Sequence, residues 1–290
     1  MSNPHIETTN IEDWVNQEPD LHRRELREAV HTVLHAIAKS PQLNSQMIMK
    51  GGILLAIRYH SSRFTKDIDF STEVKYSEFD REGFLREFEE KLTFAVEDLD
   101  YGLDCHIQRW EVRPKGEGKN FQTMSLSIGY APKGSRQHES LMKNKCPNVV
   151  EVDYSFNELT LEKEIIKIFN EDSLEAYSFT DLVAEKFRAI LQQEMRNRFR
   201  RQDPYDLYFL LNNHSITETE KKKILDSLIV KSKSRNLEVN KLSIAIENIK
   251  QRSEKEYSQL ADEIEEPLPP FEEVYSFIQT FYQSLPWQED

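Results

Sequence analysis

Apolar side chains alternate along residues 105–112, 121–130 and 148–156, and no other feature of the chain constrains its fold as strongly. In the middle stretch Met124, Leu126, Ile128 and Tyr130 share one face, the pattern of a half-buried strand. Upstream, Met47-Ile48-Met49 reads as a short buried strand that runs into a Lys50-Gly51-Gly52 turn. Ile53 to His60 then reads as a short helix, and Ile68 with Phe70 as a further strand. Helical spacing marks residues 21–39 through Leu26, Val30, Val33, Leu34 and Ile37, and residues 78–97 through Phe84, Phe88, Leu92 and Val96. Residues 131–147 read as a polar loop. From about residue 161 the strand signal disappears, and helical patterns continue to the end with breaks near Asp203-Pro204 and at Glu266-Pro267-Leu268-Pro269-Pro270. The expected fold is therefore α+β: a mixed sheet flanked by helices over residues 1–160, followed by a helical domain over 161–290.

Composition narrows the class of function. The 290 residues include 38 Lys and Arg against 51 Asp and Glu, a net charge of −13. That balance argues against a protein that wraps duplex DNA non-specifically, since phosphate neutralisation supplies most of such affinity. It leaves room for a local basic patch. The longest apolar run, Ile53 to Ile57, is far too short to span a bilayer. Met1-Ser2-Asn3-Pro4-His5 lacks the features of a signal peptide, and Cys105 and Cys146 stand alone without a CxxC pair. These features predict a soluble cytoplasmic protein with no membrane partner.

The chemistry concentrates in Lys50 to Ser71, KGGILLAIRYHSSRFTKDIDFS. Gly51 and Gly52 permit close backbone approach, and a helix starting there would aim its free N–H groups at an anion. Asp67 and Asp69 are two apart, so on a strand they project from the same face while Ile68 points to the core. Adjacent carboxylates repel, and a hard cation such as Mg²⁺ relieves them. A phosphate cradle beside a carboxylate pair suits metal-assisted phosphoryl or nucleotidyl transfer. A third carboxylate is offered by Val149 to Ser155, where Glu151 and Asp153 lie opposite Val150, Val152 and Tyr154; Asp153 is preferred to Glu151. Thr65 would share the face of Asp67 and Asp69, so a phosphate placed on it would compete with a nucleotide. Either site also has a plainer reading: a tight turn, and the solvated face of a strand.

A second cluster lies downstream. Leu182, Lys186 and Ala189 share a helical face, so Lys186 sits among apolar neighbours, from which it can snorkel to water or reach a phosphate. Arg196, Arg198, Arg200 and Arg201 flank Phe199, and arginine forks match phosphate oxygens. The plainer reading is a solvated basic face paired with acidic residues.

Taken in order, the Lys-Gly-Gly turn, Arg63-x-Thr65-x-Asp67-Ile68-Asp69, Lys186 and Arg201-x-Asp203-x-x-Asp206-Leu207 resemble the AbiEii/AbiGii toxin family. That family is a branch of the DNA polymerase β-like nucleotidyltransferases, and the resemblance covers roughly residues 25 to 212. Phe271 to Trp287 is similar to its closing helix. The resemblance implies a nucleotidyltransferase-like sheet and metal-dependent transfer of an NMP from an NTP to an acceptor. RNA, in particular tRNA, is the implied acceptor, and a separately encoded antitoxin the implied partner in a toxin–antitoxin or abortive-infection system. It implies Mg²⁺ or Mn²⁺ at Asp67 and Asp69, beside which the alternation above offers Asp153 as third carboxylate. It also implies nucleotide binding by Lys50, Gly51, Gly52, Arg63 and Thr65, a nucleotide contact by Lys186, and an essential acid at Asp203. Acceptor or triphosphate contacts would fall to the four arginines. Two positions depart from the family pattern: Ile53 replaces a small hydroxyl residue, and Gln193 stands where an arginine is expected. Protein NMPylation, phosphodiester hydrolysis and NTP sensing without turnover are the alternative activities.

Overall fold

In the computed structural model of the chain, residues 10–116, 118–169 and 172–288 are described, and the N-terminal pentapeptide discussed above lies outside them. The chain opens with helices α1 (Ile11–Asn16), α2 (Leu21–Ala38) and α3 (Pro41–Gln46), then β1 (Ile48–Lys50), α4 (Gly51–Tyr59) and β2 (Asp67–Ser71). Next come α5 (Arg81–Asp98), β3 (Leu103–Arg113), β4 (Thr123–Pro132), α6 (Arg136–Leu141), β5 (Val149–Ser155), β6 (Lys163–Phe169) and β7 (Asp172–Tyr177). The remainder is helical: α7 (Phe179–Leu191), α8 (Gln193–Arg196), α9 (Gln202–Asn212), α10 (Glu218–Ser234), α11 (Glu247–Glu254) and α12 (Phe271–Gln283).

Local chemistry sets the boundaries. Asp20 caps α2 by accepting from the Arg23 amide, and Asp80 caps α5 from Gly83. Thr217 and Glu220 form a reciprocal capping box at α10. The expected breaks fall where proline is tolerated: Pro204 lies in the first turn of α9, and Pro270 immediately precedes α12.

Seven strands form one mixed sheet in the order β3-β4-β5-β2-β1-β7-β6. β2 runs parallel to β5 and antiparallel to β1, while β4 is antiparallel to both β3 and β5. Two expectations need correction here. The strand signal does not end at residue 161, because β6 and β7 follow it. Ile165 and Ile166 are adjacent and flanked by Lys163, Glu164 and Lys167, which blurs alternation on an outer strand; Ile165 is exposed and Ile166 buried. Nor is 131–147 wholly a loop. Ser135 caps α6 there, and Leu141 packs with Ala131 and Cys146.

The chain divides into two compact units. The first comprises residues up to Arg58 with Thr65–Ala176; the second comprises Tyr59–Phe64 with the chain from Tyr177 onward. The division thus falls later than the expected 160/161 boundary, since β6 and β7 complete the sheet of the first unit. In that unit one sheet face is apolar, with Ile68, Phe70, Leu126, Val152 and Tyr154 buried. α2 and α5 pack there, and the Phe84 ring stacks on Tyr154 at 5.5 Å between centroids. In the second unit α7 is buried along most of its length against α9 and α10. Its Asp181 pairs with the buried Lys231 of α10 at 2.9 Å.

Candidate active site

The second face of the sheet is polar, and strand register assembles it. Asp69 stands opposite Asp153 on one side and opposite Lys50 on the other; Asp67 stands opposite Glu151. On β4, Ser125 faces Asp153 and Ser127 faces Glu151. Register partners project to the same side of a sheet, so four carboxylates from two strands share this face. Ile68, Phe70, Val152 and Tyr154 fill the apolar face behind them. The alternation that buries the core therefore also gathers the acids.

Hydrogen bonds separate the two candidates on β5. Both Glu151 carboxylate oxygens accept from Ser127 Oγ, at 2.8 and 2.7 Å, and Arg109 Nη2 lies 3.4 Å from Oε1. Among the described residues Asp153 accepts a single bond, from Ser125 Oγ to Oδ1 at 2.6 Å. Glu151 is held by two partners and stands beside Asp67; Asp153 stands beside Asp69 and is oriented by one hydroxyl.

The glycine turn meets this face directly. β1 passes into α4 at Gly51 without an intervening loop, and Gly51 adopts φ +76°, a left-handed conformation that L side chains rarely take. A Cβ at Gly51 would lie 2.0 Å from Asp69 Oδ2. The start of α4 and the Asp69 carboxylate are therefore in contact, and only glycine fits between them. Gly51→Ala is expected to displace Asp69 and to lower nucleotidyl transfer at least tenfold. The left-handed backbone alone adds about 1–2 kcal/mol of strain. Parallel activity and thermal unfolding measurements check both effects.

The carboxylate face has the donor chemistry for a hard cation. Among the described residues no three His, Cys, Asp or Glu side chains converge into a ready-made metal cage, so Asp67, Asp69 and Asp153 share a face without enclosing a site. Mg²⁺ does not need an all-protein cage, because it is commonly bound by one or two carboxylates together with substrate phosphates and retained water. The Gly51 contact puts the start of α4 against one of those carboxylates.

Two residues of the expected nucleotide site are placed differently from the reading above. Thr65 lies in the irregular segment before β2, which begins only at Asp67, so no strand carries it onto the face of Asp67 and Asp69. Lys50 is paired with Glu158 at 2.7 Å. Ile53 is buried and packs as a core residue of α4.

Arg63 belongs to the second unit, in a buried charge cluster. Its Nε and Nη2 donate to the two oxygens of Asp206 at 2.8 and 3.0 Å, and Glu263 lies 3.8 Å away. Lys186 Nζ donates to Asp206 Oδ2 at 2.7 Å and to Asp203 Oδ1 at 3.2 Å. Burial opposes ionisation of Asp206, but Arg63 and Lys186 more than reverse it and hold its carboxyl at about 2. Burial likewise opposes the Lys186 charge, and Asp206 with Asp203 raises its pKa above the ordinary lysine value. Asp203 differs from its neighbour. Its Oδ2 is buried and accepts no hydrogen bond among the described residues, with Arg200 Nε 3.8 Å away. Asp206 is saturated, whereas Asp203 keeps an acceptor in reserve.

The basic stretch divides as well. Arg201 bonds Gln259 and, at 2.6 Å, Glu263, which fits the plainer reading of a basic face paired with acids. Arg196 and Arg198 are exposed, and Arg200 is half-buried toward Asp203. Arg201→Ala should therefore lower thermal stability with little effect on phosphate affinity. Arg198→Ala should weaken phosphate binding, most at low salt, and leave stability unchanged. Unfolding and binding titrations on the two variants distinguish these outcomes. Gln193, where an arginine was expected, is a buried structural pin: it donates to Ser253 Oγ at 2.8 Å and accepts from the Arg200 amide at 2.8 Å. Asp206 enters the sequence reading only as part of the Arg201-x-Asp203-x-x-Asp206-Leu207 motif, without a role of its own, and Ser125 does not enter it. The Asp203-x-x-Asp206 spacing of one helical turn was the available signal for the first, and alternation along β4 for the second.

A strand–glycine turn–helix closing on strand carboxylates has the chemistry that nucleotidyl transfer requires. The family described as nucleotidyl transferase AbiEii toxin, type IV toxin–antitoxin system, matches residues 32–277, and the chain belongs to that family. No curated protein matches the sequence. Among solved structures the chain is similar to JHP933 from Helicobacter pylori, at 12% identity over 92% of each chain with a TM-score of 0.48. It is also similar to MenT4, a nucleotidyltransferase toxin from Mycobacterium tuberculosis H37Rv, at 12% identity over 95% of this chain and 97% of that one, with a TM-score of 0.47. The family implies an NTP substrate and an antitoxin partner. Among the described residues no helix is long and apolar enough to cross a membrane.

Proposed function

We propose that the protein is a divalent-metal-dependent toxin that transfers an NMP from an NTP to RNA, with tRNA as the acceptor class. The observation that carries this reading is the contact between Gly51 and Asp69, which joins an anion-facing helix start to a carboxylate pair. Asp67 and Asp69 would hold Mg²⁺ or Mn²⁺, with Asp153 as the third carboxylate, oriented by Ser125. The cation supplies charge neutralisation for the attacking and leaving oxygens together. Gly51 and Gly52 leave the backbone amides at the start of α4 open to triphosphate oxygens. Lys50 exchanges Glu158 for a phosphate when the nucleotide arrives. Attack by an acceptor hydroxyl forms the bond to the α-phosphorus, breaks the α–β bridge and releases pyrophosphate.

In the second unit, Lys186 donates to both Asp206 and Asp203, and Asp203 is the essential acid of the motif, with one oxygen that accepts no hydrogen bond among the described residues. Thr65 and Arg63 then act at the margins: Thr65 as a hydroxyl near the strand that carries Asp67, and Arg63 by fixing Asp206. NTP and tRNA are both cytoplasmic, and we place the protein there, in a phage-defence or abortive-infection module. The test is incubation with each α-labelled NTP, Mg²⁺ and cell extract, followed by RNase or protease. Label released by RNase and retained under protease supports the reading; the reverse result assigns the activity to protein NMPylation. Absence of any label with every NTP would leave an NTP-binding module.

A further inference from the structure

We propose that Phe199 is a stacking platform for an unpaired base of an RNA strand, with Arg252 of α11, the following Lys255 and the arginines of the Asn197–Arg201 loop holding the adjacent phosphates. The proposal rests on the RNA-acceptor reading and adds a place on this chain where the strand is gripped. Phe199 is 45% exposed, and its ring lies among charges: Lys255 Nζ stands 3.9 Å from the ring centroid and Arg252 Cζ 5.5 Å. A ring in such surroundings is worth little to a core, but it offers a π-face beside cations.

The arrangement is built rather than loose. Asn197 turns the chain with φ +47°, and the Arg198 and Arg200 amides bond the backbone and side chain of the buried Gln193. Gln193 Nε2 in turn donates to Ser253 Oγ of α11. The loop and the helix that carries Arg252 are thereby pinned together. On a chain of net charge −13, residues 194–200 and 252–256 hold five cations against three carboxylates.

These features favour a single strand over a duplex. Bases within a duplex already stack on each other, whereas a splayed base offers its whole face to an aromatic ring. Every base has such a face, so the platform tolerates sequence and grips rather than reads. Lys255 occupies the ring face that a base takes, and it trades that cation–π contact for a phosphate as the strand arrives. Arg200 Nε lies 3.8 Å from Asp203 Oδ2, so the platform is continuous with the motif that carries Asp203.

The test uses the full chain and a short unstructured RNA carrying 2-aminopurine, with anisotropy for affinity and base fluorescence for stacking. Phe199→Leu should weaken binding on the order of tenfold and abolish the fluorescence quench. Phe199→Tyr should restore both. Arg252→Gln with Lys255→Gln should lower the slope of log affinity against log salt by about 1.4, as expected for two phosphate contacts on a single strand. NTP affinity and the thermal unfolding midpoint should not move in any of these variants. Wild-type affinity for the RNA in Phe199→Leu overturns the platform, as does equal affinity for a duplex or a parallel loss of NTP binding. If wild type labels RNA while Phe199→Leu binds it normally, the platform falls and the acceptor reading stands. If wild type labels only protein, the acceptor reading falls and takes the platform with it.

Discussion

Asp69→Ala is expected to abolish nucleotidyl transfer while leaving the fold intact, and Asp67→Ala to do the same. Both residues lie on the polar face of the sheet, Asp67 exposed and Asp69 half-buried, so neither side chain fills the core. Truncating either one leaves the apolar face behind it, with Ile68 and Phe70, unchanged. A cation held by one carboxylate instead of two no longer stabilises the attacking and leaving oxygens together, and several orders of magnitude in rate should be lost. The neighbouring strand provides the control. Glu151 is occupied by Ser127 and Arg109, so Glu151→Ala should cost little activity, whereas Asp153→Ala should approach the Asp69 variant. Labelling from an α-labelled NTP under saturating Mg²⁺, with unfolding midpoints in parallel, measures all four. Near-wild-type transfer by either Asp67→Ala or Asp69→Ala would refute the assignment of the carboxylate face, and a larger loss in Glu151→Ala than in Asp153→Ala would reverse the order of the two.

Much of this site was legible in the sequence because period-two alternation does two jobs at once. The pattern that places Ile68, Val152 and Leu126 in the core necessarily places Asp67, Asp69, Asp153 and Ser125 on the opposite face. What alternation cannot supply is register. That Asp69 meets Asp153 rather than Glu151 depends on β2 and β5 being parallel neighbours, although about 80 residues separate them in the chain. β6 is hidden in the sequence because Lys163 to Lys167 mixes charge and isoleucine without clean alternation, a pattern short windows cannot separate from a charged helix. Thr65 stands two residues short of β2, which starts at the carboxylate itself, so period-two alternation does not extend to it. The partners of Arg63 were out of reach for a different reason. Asp206 lies 143 residues away, and only the fold brings the two charges together. The arginine stretch looked like one patch in sequence, yet Arg201 turns to Glu263 while Arg198 faces solvent.

The largest stability effect is expected at a residue with no assigned chemistry. Asp206 is buried, and its two oxygens neutralise Arg63 and Lys186, which are themselves buried. Asp206→Asn keeps the shape but leaves two buried cations with too little negative charge, a loss of about 3–5 kcal/mol for breaking a buried ionic cluster. Asp203→Asn should cost much less stability, because Lys186 keeps its shorter bond to Asp206, yet it should lose transfer. The pH dependence follows from the depressed Asp206 carboxyl. Burial alone would raise it, but the adjacent Arg63 and Lys186 hold it at about 2, below the unfolded value of about 3.9. A carboxyl whose folded pKa is lowered stabilises the protein fully above its unfolded pKa, and that contribution disappears as pH falls through the folded value. The stability gap between wild type and Asp206→Asn should therefore be constant from neutral pH to about 4 and narrow from there toward about 2. Urea unfolding midpoints across that range measure the gap directly. An Asp206→Asn protein as stable as wild type at neutral pH would show that the cluster does not hold the helices together. A gap that stayed constant to pH 2 would place the acid-labile charge elsewhere in the fold.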